Sequence, residues 1–382
     1  MSTDVAVVGL GGGGCRIASK SAKGLATTIP VIAVDTDASA LGECDIDVKI
    51  QIGTARTNGL GCGGDSGRGR LAAEDDTTSL RDCFADRNIV IVIAGLGGGA
   101  ATGAAPAILR VARESGALTM ALVTLPFPFE GEQRRSQAEQ ALRGVREAAD
   151  VLIVVPNERL FEAIEESEVG AGFEAADDLL GASVSGLVNI LTRPGYIKLD
   201  FADLRSLVNL SEGTCALGHG QGDGKNRAKK AVESILDGPM LEKGACVEKA
   251  ASLLVGIEGG SDLAVEEVGE IMKSLADRHR QDCRVCMGTT INPALRRKLV
   301  VTVIATEAWN MPSEEIEHKP ERADRRKGRR RKKGPVEENQ PTLELELGLG
   351  GKGRFKNVEP TVVDGQNLDV PTFTRLGVKF DK

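Results

Sequence analysis

Six short runs of almost uninterrupted apolar residues punctuate the first 156 positions: VAVVG from 5, VIAVD from 31, VKIQI from 48, IVIVIAG from 89, LTMALVTLP from 118 and VLIVVP from 151. Runs this apolar suit strands covered by helices on both faces. The stretches between them, 67–86 and 131–149 among them, predict helices. Strand and helix alternating in this way predict an open α/β sheet, which takes its ligands at the carboxyl ends of its strands. Residues 174–193, EAADDLLGASVSGLVNILTR, carry apolar side chains at 179, 180, 184, 187, 188 and 191 and predict one long helix. Pro194-Gly195 ends it. A second set of strands and helices then runs to KLVVTVIAT at 298–306.

The chain has 382 residues, too many for one ordinary core, so two domains and a tail are expected. Aromatic residues make up 3% and the net charge is −7, which disfavours a general nucleic-acid binder. Residues 89–109 carry no charge and are long enough to span a bilayer. Gly97, Gly98, Gly99 and Pro106 interrupt them, so a buried strand, a turn and a helix are expected instead. No charged-then-apolar leader opens the sequence, which predicts a cytoplasmic chain. The eight cysteines are scattered and read as free thiols. Cys283 and Cys286 form a C-x-x-C beside His279, but no second pair lies at zinc-site spacing, and CRVCMGTTI reads as strand, so no metal site is expected.

Beyond residue 308 the composition changes. Residues 309–340 hold almost no apolar material, and eight of the nine residues 325–333 are Arg or Lys. This predicts a disordered charged tether, with weak contacts to acidic lipid or nucleic acid as the sharper reading. The apolar patch NLDVPTFTRLGVKF at 367–380 has the character of a docking peptide.

Two glycine clusters follow strands directly and lead into helices: GLGGGG at 9–14 and GLGGG at 95–99. Free backbone N–H groups and the helix dipole favour an anion there, and glycine lets the backbone close on phosphate oxygens. Gly9, Gly11 and Gly14 also satisfy G-x-G-x-x-G, with Asp35 at the end of the next strand, as in a dinucleotide fingerprint. That reading, an NAD-dependent oxidoreductase, leaves the second cluster unexplained. No Walker P-loop and no Asn-Lys-x-Asp guanine motif is present.

From about residue 4 almost to its end the chain resembles the FtsZ family, bacterial homologues of tubulin. VVGLGGGGCRIA, AVDTDASAL and IQIGTARTNGLGCGGDSGRG resemble the family's first three nucleotide loops, and AGLGGGAATGAAP stands at its Gly-Gly-Gly-Thr-Gly-Thr-Gly loop. PFPFEGEQRRSQA and IVVPNERL follow at family spacing. PGYIKLDFADLRSLV resembles the synergy loop, and LDVPTFTR the peptide that docks division partners.

The resemblance implies a Rossmann-like GTPase domain at 4–173, a central helix at 174–194, a smaller α/β domain at 195–308, a disordered charged linker at 309–366 and a docking peptide at 367–382. It implies that Gly11, Gly12, Gly13 and Gly97, Gly98, Gly99 cradle the phosphates, with Thr102 and Gly103 completing the turn. Cys62, Gly63 and Gly64 would approach the γ-phosphate. Glu130 and Arg134 would hold the ribose and a phosphate. Asn157, Phe173 and Asp177 would form the guanine pocket, Asp177 accepting from N1 and the exocyclic amine. Asp200 and Asp203 would enter the next subunit's site and polarise the attacking water. GTP and GDP are the implied ligands, with Mg²⁺ on the triphosphate and a monovalent cation as an option.

Four departures from the family pattern bear on affinity and turnover. Ala100 and Ala101 replace Thr and Gly in the phosphate loop, Arg16 stands where an Asn meets the guanine, Lys198 opens the synergy loop and Asp35 replaces an Asn near the ribose. Ala100 lacks a hydroxyl for phosphate, and Ala101 tolerates a positive φ less well than glycine. The expectation is a GTPase that polymerises head to tail and organises the division ring at mid-cell. Its partners would be other copies of itself and division proteins bound through Leu368, Val370, Pro371 and Phe373, with the membrane reached only indirectly and no specific nucleic acid. The alternative within the family is a filament protein that hydrolyses GTP poorly.

Overall fold

The computed structural model describes residues 4–162, 169–199, 204 and 215–307, together with the short pairs 362–363 and 366–367. Asp200, Asp203, the basic run 325–333 and Leu368, Val370, Pro371 and Phe373 lie outside the described residues.

Every expected N-terminal run is a strand. In chain order the elements are β1 (Val5–Leu10), α1 (Gly11–Ala22), β2 (Val31–Asp35), α2 (Ala38–Glu43), β3 (Val48–Gln51), α3 (Thr54–Thr57), α4 (Ser66–Asp75), α5 (Thr77–Phe84), β4 (Ile89–Gly95), α6 (Ala100–Glu114), β5 (Leu118–Leu125), α7 (Glu132–Ala148), β6 (Val151–Pro156) and α8 (Asn157–Glu162). The long helix α9 follows as Val169–Thr192, then β7 (Cys215–Asp223), α10 (Arg227–Leu236), α11 (Ala245–Glu248), β8 (Ala250–Gly259), α12 (Val265–Ala276), β9 (Arg284–Ile291) and β10 (Lys298–Glu307). The helix expected over 67–86 is two, α4 and α5, and the central helix starts before the expected 174, so that Phe173 lies on it. Residues 89–109 are the buried strand, turn and helix that the glycines predicted.

The ten strands form one sheet in the order β3-β2-β1-β4-β5-β6-β7-β10-β8-β9. Neighbours from β3 through β7 are parallel, β10 is antiparallel to β7 and β8, and β9 is parallel to β8. Period-two alternation along β4 divides its side chains between two cores. Ile89, Ile91 and Ile93 pack into the core shared with α1 and α9, and Val90, Val92 and Ala94 into the core shared with α4 to α7. A third core joins α10, α12, β8 and β10. Residues 1–314 form one compact unit. In the second, 315–382, Val362–Val363 (β11) pairs antiparallel with Gln366–Asn367 (β12). Among the described residues no helix is long and apolar enough to cross a membrane.

Candidate nucleotide site

A cavity of about 770 Å³ opens at the carboxyl ends of β1, β2, β4, β5 and β6, where an open parallel sheet places its ligands. Two helix N-termini meet it. α1 begins at Gly11 and α6 at Ala100, and neither has a side-chain cap or an acidic residue in its first turn. Their first-turn N–H groups and dipoles are thus left for an anion.

The tight turn from β1 into α1 rests on two glycines. Gly11 has φ +69°, and a Cβ there would lie 3.0 Å from the Cβ of Ala101. A Cβ on Gly14 would overlap the carbonyl oxygen of Ile93, so α1 lies this close to β4 only because the position is glycine. Gly12 and Gly13 are the open positions of the cluster, where an added Cβ would meet nothing nearer than 4.0 Å.

Of the expected site residues, Gly11, Gly12, Gly13, Cys62, Gly63, Gly64, Gly98, Gly99, Glu130, Arg134, Asn157, Phe173 and Asp177 all line this cavity. They come from six separate segments of sequence. Gly97, Thr102 and Gly103 stand outside the lining. Thr102 is buried and accepts from the amide of Gly97, and Gly103 packs its backbone against Ser66 of α4. Ala100 and Ala101 are helical and line the cavity, and neither has a positive φ. The strain expected at Ala101 is therefore absent.

The far wall belongs to α9. Phe173, Ala176, Asp177 and Leu180 recur at i, i+3, i+4 and i+7, so one helix face presents an aromatic ring, two apolar side chains and a carboxylate. Phe173 meets Phe127 edge to face with ring centroids 5.8 Å apart. Burial raises the pKa of Asp177, and the guanidinium of Arg16, whose Nε donates to Asp177 Oδ2 at 2.8 Å, opposes that rise. Glu130 accepts from the amide of Phe127 at 2.9 Å and pairs with Arg134 at 2.5 Å. Burial pushes the Cys62 thiol up, and its Sγ lies 3.3 Å from Thr36 Oγ1.

Several lining residues were not among the expected ones. Ala176 and Leu180 share a helix face with Phe173 and follow from it once Phe173 is placed at the site, whereas exposed Leu60 and Phe129 at the rim carry no sequence signal of their own. Asp35 also lines the cavity. It is 5% exposed and accepts from the amide of Thr36 at 2.6 Å, and burial raises its pKa. Among the described residues no group of three His, Cys, Asp or Glu is placed to hold a metal ion.

Known proteins match this arrangement over most of the chain. The GTPase domain of the Tubulin/FtsZ family matches residues 4–165, and the C-terminal domain of the FtsZ family matches 213–308. Cell division protein FtsZ 1 of Halobacterium salinarum is 37% identical over 306 residues, 80% of this chain and 76% of that protein. An empty FtsZ dimer from M. jannaschii superimposes with a TM-score of 0.74 at 34% identity, covering 80% of this chain and 88% of that one. A GTPγS-bound protofilament of CetZ2 from Haloferax volcanii, at 21% identity and TM-score 0.64, covers 81% of this chain and 94% of that one and shares the fold. Family matches on both sides of the central helix leave no place for the dehydrogenase alternative: the chain belongs to the tubulin/FtsZ family of GTPases and lies close to FtsZ.

Proposed function

We propose that the chain binds GTP in this cavity, polymerises head to tail and hydrolyses GTP between subunits, so that filaments organise the division ring at mid-cell in the cytoplasm. The observation that carries the reading is the convergence of two uncapped helix N-termini, α1 and α6, on one cavity whose opposite wall offers Phe173, Asn157 and Asp177. Phosphates suit the first wall and a purine base the second. Gly12, Gly13, Gly98 and Gly99 would bind phosphate oxygens through their amides, Cys62 to Gly64 would border the γ-phosphate, and Glu130 and Arg134 the ribose. Gly97, Thr102 and Gly103 would hold the loop in shape. Mg²⁺ would arrive on the phosphate oxygens, where its charge would offset theirs during phosphoryl transfer.

Asp200 and Asp203 would complete the neighbour's site by orienting the attacking water. The working division is a GTPase domain at 4–173, a central helix at 174–194, a second α/β domain at 195–308, a charged linker at 309–366 and a peptide at 367–382 that docks membrane-attached division proteins. A filament protein with slow hydrolysis is the second reading. It is favoured by Ala100, which lines the cavity without the hydroxyl that the family places there. Sedimentation with phosphate release in the presence of GTP tests both. Pelleting with release supports the first, pelleting without release the second, and absence of GTP-dependent pelleting refutes both.

A further inference from the structure

Two cysteines stand against each other beside the phosphate turn. Cys15 follows the glycines of α1 and is 5% exposed, and its Sγ donates to the carbonyl oxygen of Gly9 at 3.3 Å. Cys44 caps the carboxyl end of α2 and is half-buried. Its Sγ lies 3.9 Å from the carbonyl oxygen of Cys15. Each thiol acts on the other's pKa as a hydrogen-bond partner, beneath the larger effect of burial, which raises both. Both line a second hollow of about 510 Å³, which shares Gly12, Arg16, Asp35 and Ala40 with the nucleotide cavity. The two helices differ in freedom. α1 lies hard against β4, with no room at Gly14 even for a Cβ. α2 has six residues and buries only Leu41, and residues 44–47 after it form neither helix nor strand.

We propose that Cys15 and Cys44 form a modification site, where a low-molecular-weight disulfide, RSSR, cross-links α1 to α2 and thereby weakens nucleotide binding. The consequence rests on the GTP reading. Cys44, the more accessible thiol, attacks first. Its sulfur bonds to one sulfur of RSSR, whose S–S bond breaks, and RS⁻ leaves and takes up the proton that Cys44 gives up. Lys49 of β3 favours the Cys44 thiolate, and Asp45 and Asp35 oppose it. The Cys15 sulfur then attacks the Cys44 sulfur and expels the second RS⁻, which takes the Cys15 proton. Two thiols are oxidised, and RSSR is reduced to two RSH. The new bond is about 2.05 Å long, shorter than any contact between two thiols, so the end of α2 must close on α1. The bond from Cys15 to Gly9 is lost with its proton, and Ala40 is carried toward the phosphate turn. By reciprocity, bound GTP favours the open dithiol by the factor by which the cross-link weakens GTP.

The test treats the full chain with oxidised glutathione, reads the pairing by peptide mapping after thiol blocking, and titrates GTP before and after. The expected result is a Cys15–Cys44 linkage, GTP affinity lower by about tenfold, and recovery on reduction with dithiothreitol. Cys44→Ser and Cys44→Ala should bind GTP as the reduced chain does and keep that affinity under the oxidant. In a glutathione redox buffer, saturating GTP should shift the equilibrium toward the thiols by the same factor. A pair that stays unlinked, or stops at a glutathione adduct on Cys44, overturns the site. A linkage that leaves GTP affinity unchanged overturns its consequence. An equal loss of affinity in the oxidised Cys44 variants does so too and assigns the effect to another thiol. A reduced chain that binds no GTP overturns the parent reading, while the map still decides the linkage.

Discussion

The amide of Gly97 donates to the hydroxyl of Thr102 at 2.8 Å and closes the turn between β4 and α6 on itself. Gly97 holds φ +106°, and Thr102 is 3% exposed. Neither faces the cavity, yet Gly98 and Gly99 between them do. Thr102→Val keeps the shape and removes the acceptor, leaving a buried amide unpaired. The expected cost is about 1–3 kcal/mol in stability, with weaker GTP binding, read by denaturant unfolding and nucleotide titration. Thr102→Ser should retain both, and wild-type affinity in Thr102→Val would remove Thr102 from the architecture of the phosphate loop.

Ala100 and Ala101 call for opposite expectations. Ala100 opens α6 at the cavity wall, so Ala100→Thr adds a hydroxyl where the phosphates are expected. One bond to a charged oxygen tightens GTP binding by roughly 1.5–3 kcal/mol at most. Ala101 is 6% exposed, helical and in the core, and its Cβ stands opposite Gly11. Ala101→Gly removes that contact and loosens the helix, at about 1 kcal/mol of stability, with no gain in affinity. Calorimetric titration and thermal melts of both variants separate the two effects.

His219 on β7 is half-buried against α9, with Nδ1 3.4 Å from Thr302 Oγ1, and desolvation lowers its pKa to about 4. An added Cβ on Gly186 of α9 would lie 3.2 Å from the same Nδ1, so the ring packs directly on the α9 backbone. Between about pH 6.5 and pH 4 the unfolded chain takes up a proton that the folded chain refuses. Stability is therefore expected to fall as the pH drops through this window, by up to roughly 3 kcal/mol from this one group. His219→Gln should flatten that part of the profile in urea melts at stepped pH. An unchanged slope would assign the acid sensitivity to other groups.

Arg227 is 5% exposed and ties α10 to α12 and to the turn after β8. Its Nε donates to Glu267 at 2.6 Å, and Nη1 donates to Asp262 at 2.9 Å. The hydrogen bonds to Glu267 raise its pKa, so it stays charged. Arg227→Met deletes the charge and strands two carboxylates. The expected loss is about 3 kcal/mol at neutral pH, smaller at pH 4 where the carboxylates begin to protonate. An equal loss at both pH values would point to packing, not charge, as the role of Arg227.

Strand positions and glycine placement were legible because β-branched runs and turn glycines act locally, whereas the order of the strands in the sheet is a tertiary property that the runs do not carry. The six N-terminal strands fall on VAVVG, VIAVD, VKIQI, IVIVIAG, LTMALVTLP and VLIVVP. The Phe173–Asp177 wall was not legible from spacing alone, since a helix face does not announce what lies opposite it, and the family resemblance supplied that. The ion pair of Arg16 with Asp177 spans 161 residues of sequence and came from tertiary packing of α1 on α9. The divided helix α4–α5 was missed because Asp75-Asp76 interrupts it without glycine or proline.

The loop that bears Asp200 departs from a fixed point. Ile197 exchanges hydrogen bonds with Thr289 of β9: its amide donates to Thr289 Oγ1 at 3.0 Å, and its carbonyl accepts from the Thr289 amide at 2.8 Å. The amide of Ile291 donates to the carbonyl of Pro194 at 3.2 Å, and Gly195 between them leaves no space for a Cβ against the Thr289 carbonyl. Leu199 is buried over Gly288. The chain therefore leaves α9 in one direction, stitched to the second half of the sheet rather than to the cavity of its own subunit. If the loop serves a neighbour, Asp200→Ala should bind GTP nearly as the unaltered chain does and lose at least tenfold in phosphate release. Equal losses in binding and turnover would refute a shared site. Mixing completes the test. A chain impaired in the cradle by Gly11→Val and a chain carrying Asp200→Ala, each inactive alone, should regain part of the turnover together, because some interfaces then pair an intact cavity with an intact loop. Absence of recovery, with both chains shown to co-sediment, would place Asp200 in its own subunit's chemistry.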